Sequence, residues 1–537
     1  MTKDKNSEKK VAYFCMEFGL HEDLRIYAGG LGILAGDILK AARDMDKPLV
    51  GIGILWRQGY TRQLIDEDGK PYDSYPTNDY MYEYLEDTDV EVKVKVRDED
   101  VYVKVWKLNK FDNAPLYLLD TNLEKNGANS WITGQLYGWF EEERLAQEIV
   151  LGIGGVRALR KLEIDVDIYH FNEGHAALAG TELIQEKMDE GLSFKEAWKK
   201  TRKEVVFTTH TPIKEGNEEH GLKVMEYMRA NNGLTLDQMV EIGGAPFNMT
   251  VAGLRLSQKA NGVAKLHGNT ARRMWEDVDN KAPIKAITNG VHRPTWVDER
   301  ITETADNKDD LWEAHQEIKG ELIDYVAQKT GTELDLNSLL IGFARRAAPY
   351  KRSDFIFRKP EIIEPYLKEG KIQIVFSGKA HPLDDTGKEI VANLVEMTEK
   401  YPDSVVFLED YNITDGRILT RGADLWLNNP RRPLEACGTS GMKAAMNGVL
   451  NLSTLDGWWP EACRHGINGW QLGNGYEGKG QDKHDLESLY QVLLEEVVPT
   501  YYEDHDKWLK MMQQSIEDTY QRFSAKEMLR KYYKRLY

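Results

Sequence analysis

The run Glu435-Ala-Cys-Gly-Thr-Ser-Gly-Met-Lys443-Ala-Ala-Met-Asn-Gly448 brings a carboxylate, a Gly/Thr/Ser turn and a single lysine into one short stretch. A Gly-rich turn that enters a helix presents unsatisfied backbone N–H groups and the positive end of the helix dipole, so it can hold an anion. A lysine just inside such a helix can contact that anion or carry a Schiff base. The glutamate can accept hydrogen bonds from a sugar or another polar ligand. Alone, the run is also compatible with an ordinary helix start bearing a surface lysine.

Further polar clusters follow apolar runs of strand type. Gly29-Gly30-Leu31-Gly32 precedes the helical-looking Ile33–Met45, and its small residues would let backbone approach an anion or a sugar. Asn172-Glu-Gly-His175 follows Ile168–Phe171, Thr208-Thr-His210-Thr-Pro212 follows Val205–Phe207, and Thr288-Asn-Gly290 runs on towards Trp296. In the second half, Gly342-Phe-Ala-Arg345-Arg346-Ala-Ala-Pro-Tyr350-Lys351-Arg352 concentrates positive charge after a buried-looking strand. Guanidinium groups match phosphate oxygens in pairs, and lysine adds a point charge. Gly378-Lys379-Ala-His381-Pro382 is a weaker signal that could simply turn the chain.

The elements that must position these residues alternate between short apolar runs and amphipathic segments, an α/β pattern. Strands are expected at Val11–Cys15, Leu49–Leu55, Ile168–Phe171, Val205–Thr208 and Ile284–Thr288, then at Leu339–Phe343, Ile372–Phe376, Val405–Leu408, Leu425–Leu427 and Val449–Leu452. Val90–Val96 and Val101–Leu108 alternate around Arg97-Asp-Glu-Asp100 and predict an inserted antiparallel hairpin. The polar segment Gln328–Asn337 is expected to divide an N-terminal domain, 1–330, from a C-terminal domain, 331–537, closed by helices after His484.

Composition narrows the function. A chain of 537 residues with 41% hydrophobic residues supports more than one core. A formal net charge of −18 disfavours nucleic acid and membrane surfaces as partners, while allowing local basic pockets. Cys15, Cys437 and Cys463 have no metal-type spacing, and no metal site is expected. Reduced thiols, a charged start without a signal-peptide core and the lack of a membrane-length apolar run point to a cytoplasmic protein.

In order along the chain, Gly29–Gly32, His210-Thr, Asn289-Gly…Trp296, Arg345–Lys351, Phe407-Leu-Glu-Asp-Tyr411 and Glu435–Gly448 resemble the α-glucan phosphorylases of the glycogen, starch and maltodextrin type. The resemblance covers about Val11 to Gly473. It implies two Rossmann-like domains facing a cleft (the GT-B architecture) and pyridoxal 5′-phosphate as cofactor. The implied reaction is reversible transfer of glucose between an α-1,4-glucan or maltodextrin and inorganic phosphate, giving α-glucose 1-phosphate with retention. In this family the 5′-phosphate of the cofactor, not its aldehyde, acts as the acid/base relay.

Carried over by position, Lys443 matches the Schiff-base lysine, and Thr439, Ser440 and Arg345 match the surroundings of the cofactor phosphate. Tyr411 and Trp296 match the wider cofactor site. Arg346 and Lys351 match residues that hold substrate phosphate, near the Gly29–Gly30 backbone and Tyr350. Glu435 and Asn289 match contacts to glucose hydroxyls, with Gly438 beside them. His210 matches a residue whose backbone carbonyl can face the positive charge that develops at C1. The family is commonly dimeric, so a homodimer is compatible with the resemblance.

Several positions depart from the animal enzymes. Arg345 replaces a lysine, Ala347-Ala-Pro349 replaces Ile-His-Glu, Asn412 stands in place of an arginine, and Ser440-Gly441 replaces Gly-Asn. A divergent bacterial and archaeal subgroup is similar at these places. Because the match begins near Val11, the N-terminal control segment of animal enzymes is expected to be absent. The competing reading is a sugar-nucleotide-dependent glycogen or starch synthase. Such enzymes often carry a second glutamate eight residues after the first, where this chain has Lys443. A glucan-binding scaffold without catalysis would not need the phosphate-type charge of Arg346 and Lys351.

Overall fold

The computed structural model describes residues 8–537. The chain folds as two units, each an α/β layer structure built on one large sheet. Thr61–Ser74 and Asn289–Glu527 form the second unit, and the remainder, including Met528–Tyr537, forms the first. The observed division falls at Thr288/Asn289 rather than at the expected 330/331. The polar segment that suggested the later boundary is the last turn of one helix and the loop from it into the strand Leu339–Ala344. Lys308–Thr330 runs from an Asn307 cap to Gly331, which takes the left-handed conformation (φ 77°) that ends helices. Leu311, Ile318, Leu322 and Val326 of this helix pack into the cores of the second unit.

The sheet of the first unit has nine strands. Val11–Phe14 lies in the middle, flanked by Leu49–Ile54 on one side and Ile168–Asn172 on the other, all parallel. Val205–Thr209, Lys259–Gly262 and Ile284–Ala286 extend one wing in parallel, and Leu116–Asp120 extends the other. Glu86–Val96 and Glu99–Leu108 add the expected antiparallel hairpin at the edge. The central strands are buried along their whole length. Both faces of a parallel sheet are covered by helices, which is why these segments read as continuous apolar runs.

The second sheet has six parallel strands. Leu339–Ala344 is followed outward by Ile372–Ser377 and Val405–Leu408, while Leu425–Asn428, Leu450–Thr454 and Gly469–Leu472 build the opposite wing. This is the doubly wound order, in which the winding direction reverses between the first and fourth strands. The short hairpin Arg62–Ile65 with Pro71–Ser74 belongs to this unit. Gln63 exchanges hydrogen bonds with the backbone of Ala380, and Lys388 pairs with Asp73 at 2.7 Å. The Gly378–His381 segment is thus a docking turn for this hairpin. Among the described residues, no helix is long and apolar enough to cross a membrane.

Candidate active site

In doubly wound sheets, ligands bind beyond the carboxyl ends of the strands, at the point where the winding reverses. Several of the residues singled out from the sequence lie at or near such a point in each unit.

In the second unit the reversal separates Leu339–Ala344 from Leu425–Asn428. Arg345 is the first residue after one strand, and its guanidinium bonds Asn428 at the end of the other. The same guanidinium pairs with Glu435, as does Lys351, and all three side chains are buried. Burial alone would raise the carboxyl of Glu435, but the charges of Arg345 and Lys351 outweigh it and hold the pKa down to about 2. The Lys351 ammonium lies 4.8 Å from the Tyr350 ring centroid. Arg346 is exposed.

The helix Thr439–Met446 starts directly beyond this ion cluster, capped by Gly438 at φ 79°. A Cβ at Gly438 would stand 3.5 Å from the Arg345 guanidinium and 3.4 Å from Glu435. Lys443, one turn into the helix, is 6% exposed, with its amine 3.2 Å from the ring centroid of buried Trp296. Ser440 accepts a hydrogen bond from Trp426 at 3.2 Å. Asn289 is buried, and its Oδ1 has no hydrogen-bond partner among the described residues. Burial and the nearby Asp415 raise the hydroxyl of Tyr411.

Asn412 and Gly441 each have a local structural role. Asn412 caps the helix Ile413–Gly422 in a reciprocal capping box with Asp415. A Cβ at Gly441 would crowd Asn451 Oδ1 at 2.6 Å and Trp458 at 3.0 Å, so a side chain there would displace its neighbours. One contributor was not anticipated from the sequence. Asp456, after the strand Leu450–Thr454, accepts the Glu435 N–H at 2.9 Å and the Gly457 N–H at 2.8 Å. Burial pushes its carboxyl up to about 7.

In the first unit the reversal lies between Val11–Phe14 and Ile168–Asn172. Gly29 caps the helix Gly30–Asp44, and a Cβ at Gly29 or Gly30 would meet nothing within 4 Å. The backbone there is open to close approach, as expected. The Gly29 N–H, however, is donated to Glu17 at 3.0 Å, alongside the Ala28 N–H at 2.6 Å. Glu17 also accepts from the Tyr137 hydroxyl. This buried carboxylate was missed, because nothing in the sequence ties it to the glycines. The other small residues serve packing: a Cβ at Gly36 would lie 2.0 Å from the Gly19 carbonyl oxygen.

His210 leaves the strand Val205–Thr209, and its Nε2 lies 2.7 Å from Asn172 Oδ1. Burial lowers its pKa to about 3, as it does for His175. Both rings are therefore neutral at neutral pH. Glu173 accepts the His210 N–H at 2.7 Å and the Thr211 hydroxyl at 3.2 Å. Farther along, Glu148, Glu218 and His220 bring three ligand-type atoms within 4.8 Å of one another, a grouping the sequence does not signal. Arg144 bonds Glu218 through two nitrogens at 2.6 and 3.2 Å, so a guanidinium already supplies positive charge there.

Comparison with known proteins adds an independent finding. Residues 298–463 match the family model described as carbohydrate phosphorylase. The chain is 38% identical to maltodextrin phosphorylase of Thermococcus litoralis, over 99% of this chain and 70% of that protein. It is 37% identical to glycogen phosphorylase of Aquifex aeolicus, over 99% of this chain and 86% of that protein. An uncharacterized protein of Methanocaldococcus jannaschii is 36% identical, over 98% of this chain and 100% of its own length. The buried Arg345–Glu435–Lys351 cluster and the adjoining Lys443 helix lie within or beside the matched region. By similarity along nearly its whole length, the chain belongs to the carbohydrate phosphorylase family.

Proposed function

We propose that this protein is an α-glucan phosphorylase that reversibly transfers the terminal glucose of an α-1,4-glucan to inorganic phosphate. The product is α-glucose 1-phosphate, formed with retention, and the finer architecture is the GT-B arrangement. The observation that carries the reading is the buried Arg345–Glu435–Lys351 cluster at the start of the helix that bears Lys443. Two cations around one carboxylate at a helix N-terminus suit a site that handles phosphate and sugar hydroxyls together.

The residues present fit pyridoxal 5′-phosphate. Lys443 offers a buried amine over an aromatic face, and the helix start with Thr439 and Ser440 offers N–H and hydroxyl donors beside Arg345. When bound, the cofactor supplies a phosphate whose second ionisation, near pH 6, suits proton exchange. Arg345 and Lys351 hold negative phosphate oxygens and offset their mutual repulsion, with Arg346 as the further cation of the cluster. Glu435 and Asn289 accept and orient sugar hydroxyls; the unpartnered Oδ1 of Asn289 has the acceptor capacity this needs. The neutral ring of His210 adds no positive charge next to an oxocarbenium-like carbon, leaving its backbone carbonyl to face that centre.

The deciding experiment measures phosphate-dependent release of glucose 1-phosphate from maltodextrin and, in parallel, glucan extension from nucleotide sugars. Phosphorolysis without nucleotide-sugar transfer is expected. Transfer from a nucleotide sugar without phosphorolysis would overturn the proposal.

A further inference from the structure

Glu173 has a backbone conformation that a glutamate rarely adopts. Its φ is 80° and its ψ is 167°, a region populated almost only by glycine. Side chains persist there when the surroundings fix them and the side chain itself has work to do. A glycine would relax this position, yet the chain carries a glutamate that is only 7% exposed and whose carboxylate oxygens both accept hydrogen bonds. Oε1 accepts the Gly174 N–H at 3.1 Å, while Oε2 accepts the His210 N–H at 2.7 Å and the Thr211 hydroxyl at 3.2 Å.

The geometry explains how one residue reaches the next strand. The Glu173 N–H donates to the Thr208 carbonyl at 2.8 Å, continuing the ladder between Ile168–Asn172 and Val205–Thr209 one step past its end. The positive φ then turns the side chain across the gap. Gly174 must follow, since a Cβ there would meet Met249 Cβ at 2.9 Å. His210 is gripped twice: its ring by Asn172 and its N–H by Glu173. The His210 carbonyl lies between the two groups that Glu173 holds, the His210 N–H and the Thr211 hydroxyl. Pinning both sides of that carbonyl removes the peptide rotations that would swing it away.

We infer that Glu173 is a positioning residue that aims the His210 carbonyl at the anomeric carbon of the sugar, using a strained backbone to place its carboxylate. This role rests on the phosphorolysis reading above. Displacement of a reacting or stabilising group by about 1 Å costs on the order of 100-fold in rate.

The test uses the full chain loaded with pyridoxal phosphate, with Glu173→Gly and Glu173→Gln beside the wild type. Glu173→Gly relieves the backbone and removes the clamp. Its thermal midpoint is expected to equal or exceed that of the wild type, while kcat falls by about 100-fold and KM for phosphate stays within about threefold. Glu173→Gln keeps the length but loses an acceptor, and its kcat is expected to fall between the two. A purely structural role predicts the reverse: a lower midpoint and an unchanged kcat per folded molecule. Wild-type kcat in either variant overturns the inference, as does a kcat loss that only follows the folded fraction. Should the wild type release no glucose 1-phosphate, the activity reading fails and takes this role with it. Should the wild type be active and Glu173→Gly match it, only the role of Glu173 fails.

Discussion

The two winding-reversal points use opposite chemistry. The second unit gathers Arg345, Lys351 and Lys443 and sets one carboxylate, Glu435, against the first two. The first unit gathers carboxylates, Glu17 and Glu173, around backbone N–H groups, with neutral histidines beside them. Burial raises both of those carboxyls, and hydrogen bonds only partly offset it. Glu435 is equally buried yet held low, because it has cations rather than amides for partners. A site of the first kind is built to exchange one anion for another. A site of the second kind is built to hold backbone in place.

Substitutions should therefore separate the two regions. The largest effect is expected at Lys351. Lys351→Ala should lower kcat/KM for phosphate by about 100- to 1,000-fold, with glucan affinity nearly unchanged, as steady-state kinetics and calorimetric binding of maltodextrin would reveal. Equal losses for phosphate and glucan would break the division between a charged region and a scaffolding region. Next in size is Glu435→Gln, which leaves Arg345 and Lys351 buried without their counter-charge. Removing one partner of such a cluster costs about 3–5 kcal/mol, measurable by denaturant unfolding. Added phosphate should restore part of that loss by taking the place of the carboxylate.

A smaller effect concerns acidity. The carboxyl of Asp456 is raised in the folded chain to about 7 from an ordinary 3.8, so folding favours its protonated form. Its contribution to stability is fully present below pH 3.8 and is lost as pH rises towards 7. Glu435, held down to about 2 from 4.5, runs the other way: its contribution is present above pH 4.5 and is lost as pH falls towards 2. Asp456→Asn should therefore flatten the decline in unfolding free energy between pH 4 and 7 and leave the acid limb intact. An unchanged slope over that window would remove Asp456 as its source. The smallest contrast lies between the cap and the interior of one helix. Gly29→Ala should change stability by less than about 0.5 kcal/mol, whereas Gly36→Ala should cost at least about 1–3 kcal/mol, as two thermal melts would establish.

Much of this arrangement was legible from the sequence, because parallel strands and the polar residues just beyond them are local patterns. All ten principal strand segments marked by apolar runs are strands, and Lys443, Glu435, Arg345 and Lys351 were all singled out. What escaped notice depends on distant partners. Gln63 meets Ala380, and Glu17 meets Gly29 across a loop, pairings that carry no periodicity of their own. The strand Lys259–Gly262 is short and opens on a lysine, so it lacks the apolar run that marks its neighbours. Gln328–Asn337 looks like a linker because it is polar, but a helix end with the loop into the next strand of the same unit has the same composition as a domain boundary. Asn172–His175 was marked as a cluster, yet the purpose of Glu173 depends on a φ angle that residue type does not encode.

The allocation of the chain between the two units has a consequence for assembly. The polypeptide passes from one unit to the other at 60/61, 74/75, 288/289 and 527/528. The last ten residues belong to the first unit, where the Tyr537 hydroxyl lies 2.8 Å from His170 Nδ1 and the Leu536 carbonyl accepts from Lys259. The buried His170 of the first sheet is completed by a tyrosine 367 positions farther along the chain. The hairpin 61–74, near the start, pairs in turn with partners more than three hundred residues away. Neither unit is a contiguous half of the chain, so each is completed only when segments distant in sequence have joined it.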